Sequence, residues 1–185
     1  MSHRAAINPY LERWLHSHGL TWCRGSQVGF RVDLARNQTI NRFMREAVPK
    51  GATHLLMIDN DMVPIIDTNK IISYTGDLGY CEYAGHGGSR GHRARFGAAC
   101  FKVSAELLGR MSPPYFSVGV NDNCDMLNAC ECTWFEQNAI QAGATPDQAG
   151  IIGHEMNAVF FPDDTKRTGF SFMFPEDIAE HYPTL

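Results

Sequence analysis

The segment HLLMIDND, residues 54–61, gives the clearest indication of fold in this chain of 185 residues. Residues 54–58 form a continuous apolar run without polar alternation, which is the pattern of a strand covered on both faces. Asp59 and Asp61 follow directly, with Asn60 between them. Open α/β sheets place ligands at the carboxyl ends of such strands. The sequence therefore predicts a polar site at the end of this strand.

Helical and extended patterns alternate on both sides of that strand. Apolar spacing predicts helices over residues 5–18, 33–48, 67–74, 104–111 and 131–142. Further strands are predicted over residues 20–30, 96–103 and 157–161. The glycine-rich residues 76–97 are expected to form a long mobile loop. This alternation predicts an α/β layered domain.

Composition excludes several classes of protein. The 16 Lys+Arg against 20 Asp+Glu, for a net charge of −4, argue against binding to nucleic acid or to anionic membranes. A hydrophobic fraction of 44% is too high for a disordered chain. No apolar run approaches the roughly 20 residues that span a bilayer, and charged residues interrupt any signal peptide. We expect a single cytoplasmic domain over residues 1–185, without nucleic acid or an integral membrane segment.

The six cysteines are too sparse for a disulfide scaffold. A zinc site can be drawn from Cys124, Cys130, Cys132 and His154, but their spacing fits no common zinc pattern. Reduced, partly buried thiols are the simpler interpretation.

The spacing of Asp59 and Asp61 suits a metal site. Two carboxylates two residues apart at a strand end can turn toward one cation, and hard oxygen ligands suit Mg²⁺ or Mn²⁺ that also holds a phosphate. The alternative is a pair of solvated turn aspartates, with Asn60 stabilising the turn.

The order of motifs along the chain resembles the core of small, family-2-like GT-A-fold glycosyltransferases. The resemblance rests on Ala35-Arg-Asn37, a helix, the D-x-D of residues 59–61, Glu131-Cys-Thr-Trp-Phe135, and Ile151-Ile-Gly-His154. It implies an α/β, Rossmann-like GT-A fold with a mostly parallel central sheet flanked by helices. Residues 1–75 would form the nucleotide-binding half and residues 98–185 the acceptor-side half.

The resemblance also implies roles for single residues. Asp61 would bind Mn²⁺ or Mg²⁺ directly, Asp59 would contact the ribose or reach the metal through water, and His154 would complete the metal site. Arg36 and Asn37 would hold the nucleotide. Asp61 and Glu131 are the implied catalytic residues, with Glu131 facing the acceptor hydroxyl. The donor would be a nucleotide-diphosphate sugar and the acceptor a glycan, a protein or a small molecule.

Two features depart from the family pattern. Cys132 stands where inverting members usually carry the general base, and a thiol is a poor substitute for a carboxylate. Either Glu131 acts as the base, the reaction retains configuration, or activity is impaired. Asp122 and Asp125 lie just upstream and could compensate for the missing base, but a solvated acidic loop is the simpler interpretation of these two residues. In addition, residues 1–19 read as a helix, so the usual first strand is expected to be missing or the chain to begin late.

The loop predicted over residues 76–97 carries three arginines, Arg90, Arg93 and Arg95. Such a loop could close over the phosphates of a donor. Neither a P-loop nor a dinucleotide-binding fingerprint is present. A surface loop without a ligand is the alternative.

Two other functions fit part of the sequence. Residues 59–63, DNDMV, match the first motif of haloacid-dehalogenase-type phosphatases, in which Asp59 would be the nucleophile. Lys70 follows too closely to leave room for the usual helix and cap of those enzymes. The third possibility is a catalytically degenerate domain that binds a nucleotide-sugar, which Cys132 and the missing strand favour.

Overall fold

A computed structural model describes residues 7–20, 32–83, 96–120, 127–155, 159–162 and 170–173. The helices of these segments are α1 (Pro9–Ser17), α2 (Val32–Arg42), α3 (Lys70–Ser73), α4 (Ala105–Arg110) and α5 (Glu131–Gln141). The strands are β1 (His54–Ile58), β2 (Met62–Pro64), β3 (Leu78–Glu82), β4 (Cys100–Ser104), β5 (Gly119–Val120), β6 (Leu127–Ala129), β7 (Asp147–Glu155), β8 (Val159–Pro162) and β9 (Phe170–Met173).

Seven strands form one mixed sheet, in the order β1-β4-β3-β7-β8-β9, with β2 also pairing with β7. Strands β3 and β7 run parallel, and the other five pairings are antiparallel. The expectation of a mostly parallel, Rossmann-like GT-A sheet is therefore wrong. The short connections explain part of the antiparallel pairing. Only residues 156–158 separate β7 from β8, and only residues 163–169 separate β8 from β9. Links of this length join antiparallel neighbours, because parallel strands need a longer crossover.

Helices pack on both faces of the sheet. Residues of α2, α4 and α5 join one hydrophobic cluster, and residues of α1 and α3 join a second. Strand β1 contributes to both, since Leu55 and Met57 contact the first cluster whereas Leu56 and Ile58 contact the second. All five β1 residues are nevertheless only half-buried, because among the described strands β1 pairs with β4 alone and lies at the edge.

The predicted helices and the apolar strand β1 are found close to their expected positions. Asn8 caps α1 by accepting from the backbone N–H of Tyr10 at 2.8 Å. After α2 the chain continues through a π-helical turn, Phe43–Ala47, and a 3₁₀ turn, Val48–Lys50. Gly51 ends this segment at φ = +94°, a left-handed conformation that glycine adopts without strain.

The structure corrects the predicted loop over residues 76–97. Its first part contains β3, in which Leu78 and Cys81 are fully buried. Residues 84–95, with the three arginines, lie outside the described residues, as do residues 21–31 and the segment with Asp122, Cys124 and Asp125. The described helices include none with the length and apolar character needed to cross a bilayer.

Ser104 provides a test of local stability at the junction of β4 and α4. Its buried hydroxyl accepts from the Leu107 N–H at 2.9 Å and donates to Asp77 Oδ1 at 2.6 Å. Ser104→Ala should lower the free energy of unfolding by about 1–2 kcal/mol, because it removes a helix cap and a bond to a carboxylate. The exposed Ser73→Ala is the matched control, and urea unfolding gives both values. Equal stability of the two variants would contradict this assignment.

Candidate functional site

The turn after β1 is held in place by backbone hydrogen bonds from three directions. The Asp59 N–H donates to the Ala99 carbonyl at 2.8 Å, and the Asn8 N–H donates to the Asn60 carbonyl at 3.0 Å. The Met62 N–H closes the turn on the Asp59 carbonyl at 3.2 Å. These bonds fix the backbone of the D-x-D segment, and with it the positions from which the Asp59 and Asp61 side chains extend.

Asp61 and His154 meet although 93 residues separate them. Strand β2 starts directly after Asp61 and pairs with β7, in the register that sets Met62 opposite His154. His154 Nε2 lies 3.4 Å from Asp61 Oδ2. The hydrogen bond from His154 lowers the pKa of Asp61, so this carboxyl is kept as a carboxylate. The site has an imidazole and a carboxylate side by side, both partly exposed to solvent.

Arg36, from α2, joins the other two predicted acidic residues. Its Nη1 donates to Glu131 Oε1 at 2.8 Å, and its Nη2 lies 2.9 Å and 3.2 Å from the two oxygens of Asp59. The Arg36 side chain is only 6% exposed. Burial alone would lower the pKa of Arg36, but the charges of Asp59 and Glu131 outweigh that effect and raise it. A permanently charged guanidinium thus bridges two carboxylates.

The carboxyl of Asp59 experiences opposing influences. Desolvation raises its pKa, Arg36 lowers it, and the nearby carboxylates of Asp61 and Glu131 raise it, with a net upward shift. Because 41% of the Asp59 side chain remains exposed, water moderates all of these effects.

A group of packed aromatic rings contacts the Arg36 guanidinium. Its guanidinium carbon lies 5.4 Å from the centre of the Phe116 ring, which stacks on Phe135 at 4.4 Å. Phe96 and Phe101 pack against Phe135 at 5.3 Å each. Packing against these buried rings restricts the movement of the Arg36 guanidinium.

The Asn37 side chain, which is predicted to hold the nucleotide, is bonded to backbone groups. Its side-chain amide donates to the carbonyls of Asp33 and Phe116 at 2.9 Å and 2.6 Å. Its carbonyl oxygen accepts from the Phe116 N–H at 3.1 Å. These bonds connect α2 to the segment around Phe116, so Asn37 helps to position the ring that packs against Arg36. The Asn37 side chain does not reach the carboxylates that Arg36 binds.

Tyr83 belongs to the site, although the sequence analysis did not single it out. It follows β3 directly, and its ring meets His154 edge to face at 5.7 Å. Burial and the neighbouring Cys132 and Asp59 raise the pKa of Tyr83, so its hydroxyl stays protonated. A tyrosine within a segment that reads as a loop carries no sequence signal of its own.

The start of α5 places two thiols beside Glu131. Cys130 caps the helix, its Sγ accepting from the Thr133 N–H at 3.4 Å, and the Cys132 thiol donates to Glu131 Oε1 at 3.5 Å. Interaction with the Cys132 thiol and hydrogen bonds from Thr133 lower the pKa of Cys130 to about 5, whereas the pKa of Cys132 is raised. The zinc site drawn from the sequence differs from this arrangement, because Glu131 and not His154 joins the two thiols. Cys124 lies outside the described residues.

Five of the six predicted site residues therefore lie in two groups, and Asn37 belongs to neither. Arg36 bridges Asp59 and Glu131, and Asp61 adjoins His154. The three predicted metal ligands do not form one cluster: among the described residues, only Cys130, Glu131 and Cys132 have three metal-ligating atoms within 4.8 Å of one another. Asp59 is held by Arg36, apart from the Asp61–His154 pair.

Comparison with known proteins finds a similar fold and no matching family. No family model matches the chain, and no curated protein matches it. A solved structure titled "Crystal Structure of A197 from STIV" aligns with a TM-score of 0.61 over 91% of this chain and 88% of that chain. The two share 15% sequence identity, so the chain is similar to A197 in fold.

Proposed function

We propose that the protein is a metal-dependent glycosyltransferase that uses a nucleotide-diphosphate sugar. The observation that carries this proposal is the approach of Asp61 Oδ2 to His154 Nε2, at 3.4 Å. The two residues come from distant motifs that resemble the D-x-D segment and the late histidine of glycosyltransferases.

The donor groups of this pair fit a divalent cation. One carboxylate oxygen and one imidazole nitrogen suit Mn²⁺, and also Mg²⁺ when phosphate oxygens complete the shell. Both side chains keep solvent access, at 50% for Asp61 and 24% for His154, so a ligand could enter. A bound cation would neutralise the charge of a departing diphosphate.

The other residues would act around that pair. Arg36 holds Asp59 by both oxygens, which fixes the carboxylate that would face the ribose. Arg36 also engages Oε1 of Glu131, so a proton from an acceptor hydroxyl would have to pass to Oε2. The Tyr83 ring stays against the His154 ring and limits its orientation.

The phosphatase alternative receives less support from this geometry. Its nucleophile would be Asp59, and both oxygens of that residue lie within 3.2 Å of Arg36 Nη2. A carboxylate engaged in this way is a weaker nucleophile than a free one. The binding-module alternative differs from the transferase only in turnover.

A thermal-shift panel of nucleoside diphosphates and their sugars tests the proposal. At a concentration about 100 times the Kd, a ligand adds roughly 2.7 kcal/mol to the free energy of unfolding. For a chain of this size that is a rise in Tm of about 5–10 °C. We expect this rise for at least one nucleotide with Mn²⁺ and a much smaller one with a chelator. Equal shifts with and without Mn²⁺ would contradict the metal requirement.

His154→Ala should weaken Mn²⁺ binding by about 10- to 100-fold, because one of two protein ligands is lost. Binding by the unmutated protein should also weaken as pH falls, since a ligating imidazole must be neutral. Isothermal titration calorimetry at several pH values measures both effects. The control is His54→Ala, because His54 lies at the end of β1 that is far from Asp61. If His154→Ala bound Mn²⁺ as tightly as the His54 control, His154 would not be a ligand.

We also place the protein in the cytoplasm. In the part of the chain that the structure describes, Cys81, Cys100, Cys130 and Cys132 are free thiols. Free thiols of this number are typical of a reducing compartment.

A further inference from the structure

We propose that Cys130, Glu131 and Cys132 form a second metal site, selective for Zn²⁺ and separate from the Asp61–His154 pair. One ligand atom from each of the three residues lies within 4.8 Å of the other two. Cys130 is the N-cap of α5, and Glu131 and Cys132 begin its first turn.

The distances are close to those that zinc requires. Zinc binds sulfur at about 2.3 Å, so two sulfur ligands of a tetrahedral ion lie about 3.8 Å apart. The Cys132 thiol and Glu131 Oε1 already lie 3.5 Å apart. Closure around an ion therefore needs a shift of about 1 Å at most, which side-chain rotation can supply. Water would take the fourth position, as in open zinc sites.

The charges also favour an ion at this place. Two thiolates and a carboxylate around Zn²⁺ leave one net negative charge, which suits the positive end of a helix. Arg36 lies 2.8 Å from Glu131 Oε1 and adds a second positive group. Because the two oxygens of a carboxylate offer about four lone pairs, Glu131 can bind a metal and keep its ion pair with Arg36.

The ligand chemistry separates the two sites. Thiolates select zinc over Mg²⁺ and Mn²⁺, whereas the Asp61 carboxylate with an imidazole accepts Mn²⁺. We expect the site formed by Cys130, Glu131 and Cys132 to bind Zn²⁺ in the presence of excess Mg²⁺.

Cobalt substitution tests the site directly. The full chain, reduced and stripped with a chelator, is titrated with Co²⁺ and then with Zn²⁺. Co²⁺ should produce an ultraviolet thiolate-to-metal charge-transfer band, and stoichiometric Zn²⁺ should abolish it. Cys130→Ser and Cys132→Ser should each weaken Zn²⁺ binding by at least about 100-fold. Serine is a good helix cap, so Cys130→Ser should fold even if the variant at the buried Cys132 does not.

Asp61→Ala and His154→Ala are the matched controls, and both should keep the band while their binding of Mn²⁺ is weakened. Three results would each overturn the proposal: no charge-transfer band in the unmutated protein, a band that persists in Cys130→Ser, or loss of the band in His154→Ala. Failure of the Asp61 variant to lose Mn²⁺ binding would instead count against the proposed transferase function alone.

Discussion

Asp61→Ala should abolish the Mn²⁺-dependent binding of nucleoside diphosphate, weakening it by more than about 100-fold. Asp61 is the residue whose carboxylate lies beside His154, and its lowered pKa keeps it charged at neutral pH. Its side chain is half exposed, so the substitution removes a ligand without opening a cavity in the core. Isothermal titration calorimetry with Mn²⁺ present measures the loss.

Asp61→Asn separates ligation from shape, since it keeps the size of the side chain and removes its charge. We expect nearly the same loss as with alanine. Asp67→Ala is the matched control, because Asp67 is also a partly exposed aspartate, paired with Lys70 at 2.9 Å. Full binding by both Asp61 variants would remove Asp61 from the site.

Arg36→Met should lower the free energy of unfolding by about 2–4 kcal/mol. Breaking a buried ion pair costs about 3–5 kcal/mol when one partner is left uncompensated. The value here is smaller because Asp59 is 41% exposed and Glu131 18% exposed, so water recovers part of the lost interaction. Urea unfolding measures the change. Arg45→Ala, at a side chain 74% exposed, should stay within about 0.5 kcal/mol of the unmutated protein.

The pH dependence of that loss identifies its cause. Burial and the carboxylates of Asp61 and Glu131 already raise the pKa of Asp59, and without Arg36 this pKa rises further above that of the unfolded chain. Protonation of Asp59 then favours the folded state, so the deficit of Arg36→Met should be full at neutral pH and shrink as pH falls through the raised pKa of Asp59. A deficit that is the same at pH 4 and pH 7 would show that packing, and not charge, accounts for it. Arg36→Lys should recover only part of the stability, because an ammonium cannot span both partners.

Local sequence patterns predicted much of the site. The apolar run of β1 placed Asp59 and Asp61 at a strand end, and the apolar spacing of α5 placed Glu131 in its first turn. These features depend on neighbours in sequence, where periodicity is informative.

The direction of the strands could not be predicted in the same way. Strand β3 is five residues long and begins within a glycine-rich stretch, and the nine-residue β7 contains Gly150 and Gly153, which weaken its apolar pattern. Both strands are defined by long-range pairing, which local propensity does not record. The positions of Tyr83 and His154 depend on those strands, and the buried bond network of Asn37 depends on a contact 79 residues away.

Turnover of a nucleotide-sugar distinguishes a glycosyltransferase from a protein that only binds the donor. The purified chain is incubated with a panel of nucleotide-diphosphate sugars and Mn²⁺, and the release of nucleoside diphosphate is followed by chromatography. We predict slow hydrolysis of at least one donor, which stops with a chelator and in Asp61→Ala. Binding of a donor without any release would indicate a binding module, and neither binding nor release of any donor would contradict the assignment as a glycosyltransferase.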